Sequence, residues 1–240
     1  AGDAAPAAAP GTPVYAVLSL VGDKLDVVVP AKNPDNTPAQ NVHEFLPVDN
    51  AVFDDAAVGA AAAAVKRLVP AAELARLSAN AVLYEKQRAL FEEKGDAIVM
   101  PEAIRAALRQ QGATHMVLIT KLSDDVHKGF INAEAGEGKI EGLGFYFDRS
   151  QPVYGPDRNI IAYGSIAPFA WLRVAIIDVR TSRVLARQKI TNSTPITTAS
   201  GVAEGTSPWN ALSGEQKMNA IDRLVRREVG RAVGELLKVL

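Results

Sequence analysis

A helix that opens on a proline, stops at a glycine and passes straight into an apolar strand leaves little freedom in how the middle of this chain folds. The segment reads Pro101-Glu-Ala-Ile-Arg-Ala-Ala-Leu-Arg-Gln-Gln111, then Gly112, then His115-Met-Val-Leu-Ile-Thr120. Proline fits the first position of a helix because its missing N–H has no partner there, and glycine fits the stop. The strand is apolar without interruption, as strands buried on both faces are. The predicted class is α/β, with α+β as the alternative: a mixed sheet with helices packed on it.

With 240 residues the chain can bury a substantial core, as one large domain or two small ones. Its 26 basic and 27 acidic residues nearly cancel, so no global field would steer nucleic acid or an anionic membrane towards it. Cysteine is absent, which excludes disulfides, cysteine nucleophiles and thiolate metal sites. Residues 1–13 are rich in Ala, Pro and Gly and are predicted as a disordered leader, with residues 14–240 as a single α/β domain. An alanine at position 1 reads as a mature end left by a signal peptide, the other reading being a disordered leader trimmed at that point. The expected location is therefore the periplasm or the outer-membrane periphery, with any membrane tether lying outside this chain. No apolar run approaches the ~20 residues that a membrane-spanning helix needs.

Val14–Leu20 and Lys24–Val29 flank Val21-Gly22-Asp23 and predict a hairpin. Residues 30–41 predict a loop. Asp49 or Asn50 is the predicted cap of an alanine-rich helix over 51–67. Residues 71–77 suggest a short helix. Ser78 is the predicted cap of another, running to about Lys94, with Gly95 as its stop and Val82, Leu83, Leu90 and Phe91 as its apolar stripe. Residues 123–167 read as an irregular Gly- and aromatic-rich β-ribbon inserted between core elements. Phe169–Val179 and Val184–Ile190 flank a four-residue hairpin loop, and residues 191–205 predict a loop. Ser213 with Gln216 fits a capping box at the head of a long amphipathic C-terminal helix. In that helix Gly230 and Gly234 are expected to let the backbone approach the sheet, with a helix–helix contact as the other reading.

Motifs that would carry chemistry are faint. Gly136-x-Gly138-x-x-x-Gly142 runs into strand-like residues, whereas a phosphate loop must follow a strand and open a helix. Asp124, Asp125 and His127 lie close in sequence, yet neighbouring acids in a loop are usually just solvated. His115 opens a buried strand and reads as structural. No nucleophile elbow is present. The sequence thus assigns no catalytic, cofactor-binding or metal-binding residue, and no cofactor is expected. The aromatic residues are more informative. Phe145, Tyr146, Phe147, Tyr154, Tyr163, Phe169 and Trp171 crowd into one stretch. They either seal the irregular part of the domain or form a partner surface. Phe145, Tyr146, Phe147, Tyr154, Tyr163 and Trp171 are the predicted partner-binding residues.

The element order, with Ala16-Val-Leu-Ser-Leu20, Gly112-Ala113 before an apolar strand, Asp178-Val-Arg-Thr-Ser-Arg-Val-Leu-Ala186 and a terminal helix, resembles the fold shared by the curli secretion lipoprotein CsgG, the TolB N-terminal domain and LpoB. The ribbon at 123–167 departs from that pattern, and the acylated cysteine of a lipoprotein is absent. The resemblance implies an exported bacterial envelope protein, a non-catalytic binding or accessory module for a protein or cell-wall partner. Two alternatives stand beside it. One is a hydrolase or small-ligand enzyme with its site near residues 124–142, drawing on Asp124, His127 and Glu141. The other is a ring-forming homo-oligomer or secretion component.

Overall fold

The computed structural model describes residues 11–32, 38–91, 93–126, 136–154, 157–194, 196 and 208–240. Most of the predicted leader and His127 lie outside them. In chain order the elements are β1 (Val14–Leu20), β2 (Lys24–Lys32), β3 (Pro38–Pro47), α1 (Val52–Leu68), β4 (Glu73–Arg76), α2 (Ala81–Leu90), β5 (Glu93–Lys94), β6 (Ala97–Ile98), α3 (Glu102–Gln110), β7 (His115–Lys121), β8 (Ser123–Asp125), β9 (Lys139–Tyr154), β10 (Ile160–Asp178), β11 (Arg183–Ser193) and α4 (Gly214–Lys238). The class is α/β, a mixed parallel and antiparallel sheet flanked by helices. No helix among the described residues is long and apolar enough to cross a membrane, which says nothing of a β-barrel.

β10 is the spine. One of its edges pairs with β11. The other edge is shared: residues 160–171 pair with β9, and residues 172–178 pair with β7. The sheet therefore forks at Trp171 and Leu172. One branch runs from β9 through β2 to β3, and the other runs from β7 through β1 to β4. The region 123–167, expected as an irregular or long β-ribbon inserted between core elements, supplies the long strand β9 and the first part of β10, both within the main sheet. Alternation of buried side chains across a pleat explains it. Phe145 and Phe147 join the core on one face, while Tyr146, Phe169 and Trp171 join a smaller cluster on the other.

The expected β1–β2 hairpin does not form. β1 is buried along its whole length, so it takes a central place between β4 and β7, and β2 crosses to the other branch. The intervening backbone is held by Asp54 of α1, whose carboxylate accepts from the N–H groups of Val21 (3.0 Å) and Gly22 (3.1 Å). Residues 38–47, placed partly in a predicted loop, form β3 against β2. Residues 73–76, predicted as helix, extend the β1 branch in parallel as β4. α2 is capped by Asn80, which accepts from Leu83 N, and not by Ser78; it also ends sooner than predicted. Leu83 and Phe91 of its predicted stripe are buried, but Val82 is exposed.

Both ends of the Pro101–Thr120 unit stand as predicted, with Gly112 at φ +62° and β7 buried. The Asp178 hairpin also forms; the Asp178 carboxylate accepts from Thr181 N (2.7 Å) and Oγ1 (2.8 Å). α1 begins one residue later than predicted, and its cap position is taken by Ala51, with no side-chain capping bond, in place of Asp49 or Asn50; Asn50 accepts from Val52 N at 3.3 Å. Ser213 and Gln216 complete the capping box of α4. Gly230 and Gly234 face α1 rather than the sheet: added Cβ atoms would meet Ala60 and Arg67. The two helices thus lie side by side, and the alanine face of α1 lets them approach closely. The main core fills the space between these helices and the sheet, and a second core lies under α2 and α3.

Candidate functional site

The fork needs extra hydrogen bonds, because β1 and β7 stop pairing there. Leu20 and Thr120 are the last partners in their ladder. Gln87 of α2 supplies the missing rung. Its Nε2 donates to Leu20 O (3.0 Å) and Tyr84 O (2.9 Å), and its Oε1 accepts from Lys121 N (2.8 Å). Around it, Tyr84 donates its hydroxyl to Asp54 at 2.6 Å, and Lys121 pairs with Asp23. Burial and the Asp54 carboxylate hold the Tyr84 phenol well above its usual pKa, so it stays protonated and donating. Gln87, Asp54 and Lys121 are all buried. No single motif marks this network in the sequence, because its members come from β1, α1, α2 and β7.

Beside the network opens a cavity of about 280 Å³. Its apolar wall is Phe91, Ile98, Leu118, Leu122 and Ala175, all buried. Thr120 and Ser123 add hydroxyls, and Arg88, Lys121, Lys139 and Arg173 add cations. No aspartate or glutamate lines it among the described residues. The carboxylates that pair with two of these cations, Asp23 with Lys121 and Glu141 with Arg88 (2.9 Å), line an adjoining cavity that shares Gln87, Arg88 and Lys121 with this one. Across β10 and β11, Arg173, Arg187 and Lys189 line a further groove.

The predicted partner-binding aromatics sit elsewhere. Phe145, Tyr146, Phe147 and Trp171 are between 0 and 6 % exposed, so their side chains offer no surface in this fold. Phe145 and Phe147 pack on Trp209, each with its ring centroid 5.6 Å away. Trp171 meets Phe169 edge to face at 5.4 Å. The Tyr146 hydroxyl accepts from Gly136 N at 2.7 Å and lies 3.3 Å from Asn41 Oδ1. The reason is local: strands this apolar on both faces are buried on both faces. Tyr154 and Tyr163 belong to the outer part of the β9–β10 pair, and their side chains lie outside the described ones. Large exposed apolar side chains instead include Val42 and Phe45 on β3, the last strand of its branch.

The acids of the 124–142 region do not converge. Asp124 lies 3.5 Å from Lys189 on β11, and Glu141 turns to Arg88 on α2. No cluster of three metal-ligating side chains occurs among the described residues. The glycines of the Gly136–Gly142 run lead into β9 and open no helix. Gly142 takes φ +73° at the fork, where an added Cβ would lie 3.2 Å from the Lys121 side chain. A second acid–base pair lies between β2 and β3. The Asp26 carboxylate, 2 % exposed, meets His43 Nδ1 at 3.0 Å. Burial raises the Asp26 pKa above its ordinary value, against the pull of His43. His115 is structural: it stacks on Tyr15 at 4.6 Å and contacts Thr114 Oγ1.

No family model and no curated protein matches the chain. Among solved structures, the chain is similar to a PelC dodecamer from Paraburkholderia phytofirmans at 11 % identity. That match covers 97 % of this chain and 91 % of that one, with a TM-score of 0.34. It is similar to protein XCC0632 from Xanthomonas campestris, described under DUF330, at 12 % identity, covering 96 % and 89 %, with a TM-score of 0.38. It is also similar to the hypothetical protein CT253 from Chlamydia trachomatis at 12 % identity, covering 96 % and 100 %, with a TM-score of 0.39. Scores of this size do not mark a shared fold, and the properties of this chain rest on its own residues.

Proposed function

We propose that this chain is a non-catalytic binding or accessory module of the bacterial cell envelope, working on a protein or cell-wall partner from the periplasm or the outer-membrane periphery. One observation supports a binding role above the others. The deepest polar groups at the fork are spent on structure. Asp54 holds the backbone of Val21 and Gly22, Gln87 holds Leu20 and Lys121, and the Lys121 amine holds Asp23. What faces the opening is a set of cations and hydroxyls suited to holding a ligand. The element order, with its resemblance to CsgG, the TolB N-terminal domain and LpoB, supports the envelope assignment.

The test has two arms. The gene with its native upstream codons is expressed and the cells are fractionated, and the purified chain is assayed on chromogenic esters, phosphoesters and glycosides. Envelope recovery with no turnover above buffer is the expected result. Cytoplasmic recovery overturns the location. Turnover that co-purifies with the chain overturns the non-catalytic reading and favours the hydrolase.

A further inference from the structure

The cavity at the fork is amphipathic in a definite direction. Its floor is apolar and closed: Phe91, Ile98, Leu118, Leu122 and Ala175 are each between 3 and 6 % exposed. Its mouth is cationic: Arg88 and Lys139 are exposed side chains. Buried apolar walls favour an apolar group, at roughly 25 cal/mol per Å² removed from water. Cations at the rim favour an anion, and they attract it most where low-dielectric walls narrow the field. The lining brings four cations and no carboxylate among the described residues. Two of those cations, Arg88 and Lys121, are already paired with carboxylates of the adjoining cavity, Glu141 and Asp23. Lys139 is the cation at the mouth with no carboxylate partner among the described residues.

From this geometry we propose that the cavity is a binding site for a small amphipathic anion: a phosphate or carboxylate at the mouth, with an apolar group about the size of a phenyl ring on the floor. Size sets the limit. About 280 Å³ is roughly twice the ~150 Å³ apolar cavity that admits benzene, and it lies just below the usual span of drug-sized sites. A ring and one charged head fill it; a bare inorganic ion leaves the floor empty. The head lies within reach of Lys139 and Arg173, with the Thr120 and Ser123 hydroxyls as further donors. The proposal does not depend on the envelope reading, because it rests on the cavity alone.

The experiment titrates the full chain with four probes, phenyl phosphate, phenylacetate, inorganic phosphate and benzyl alcohol, following amide resonances and calorimetry. Phenyl phosphate and phenylacetate are expected to bind, to shift the amides of Thr120, Ser123 and Ala175, and to weaken as salt rises. Inorganic phosphate and benzyl alcohol, each lacking one half of the recognition, are expected to bind at least about tenfold more weakly. Preference between the two anions names the head group. Lys139→Glu, an exposed change that leaves the core intact, is expected to weaken both aromatic anions by about tenfold and to leave benzyl alcohol unchanged. Ala175→Leu, which narrows the floor, is expected to abolish binding; should that variant not fold, Lys139→Glu still decides. Three results overturn the proposal: benzyl alcohol binding as tightly as phenylacetate, inorganic phosphate matching phenyl phosphate, or shifts confined to amides away from the cavity.

Discussion

Gly144 shows how much a single absent side chain fixes. It sits on β9 opposite Asp26 of β2 and Phe169 of β10, where both neighbours close in. A Cβ there would overlap the Asp26 carbonyl oxygen and stand 2.7 Å from Phe169 Cζ. The first of these neighbours is backbone, so the clash cannot be relieved by a rotamer change. Gly144→Ala is therefore expected to cost about 3 kcal/mol or more, through overpacking and strand displacement. A lower urea midpoint with an unchanged m-value would show it, and a midpoint within error of wild type would contradict the packing described. The same logic reassigns the neighbouring aromatics. Removing Phe145, Tyr146 and Trp171 together would empty the core on both faces of the sheet, so loss of a partner in such a variant would report unfolding.

At the scale of elements, α4 buries a charge beside its apolar stripe and ties it to β11 through Asn192. Glu228 is 2 % exposed and accepts from Arg227 Nε (2.7 Å) and an Arg231 guanidinium nitrogen (2.6 Å). Burial alone would push its pKa up, but hydrogen bonds from Arg227, Asn192 and Arg231 outweigh that and leave it below the ordinary carboxylate value. A depressed folded-state pKa contributes stability that is present above the unfolded value and is lost as pH falls through the folded one. Glu228→Gln is thus expected to cost about 2 kcal/mol at neutral pH. The gap from wild type should close as pH falls below the ordinary carboxylate range and through the lowered folded-state value. Chemical denaturation at several pH values measures it; a gap that stays constant down to acid pH would refute the charge account. Sequence reading reached α4, α3 with β7, and the Asp178 hairpin because each carries its own local signals: a capping box, a proline with a glycine, and two β-rich runs around a four-residue loop. It missed β3 and β4, and it paired β1 with β2, because nothing local says which edge a strand will take. It also turned Gly230 and Gly234 towards the sheet, since a helix sequence shows a small face without showing what lies against it.

The whole molecule depends on one junction. Two sheet branches leave the same edge of β10, and where they part the ladders of β1 and β7 run out of partners. A single amide side chain, Gln87, satisfies a carbonyl on one strand and an N–H on the other, and so ties α2 across the gap. Its replacement by Leu keeps the volume but orphans both buried backbone groups, each worth about 1–3 kcal/mol when left unsatisfied. Gln87→Leu is therefore expected to lower stability by about 2–5 kcal/mol. The damage should be local first. The Lys121 amide, which donates to Gln87, should lose hydrogen-exchange protection ahead of the amides in the middle of β7. Uniform loss along β7 would mean that the junction is not a separate unit. Retained protection at Lys121 would mean that water takes over the rung. Gln87 also lines the amphipathic cavity, so the same variant should loosen the wall between Phe91 and Lys121 and weaken phenyl phosphate binding together with the protection. Loss of one without the other would separate the structural role of the fork from its role as a binding site.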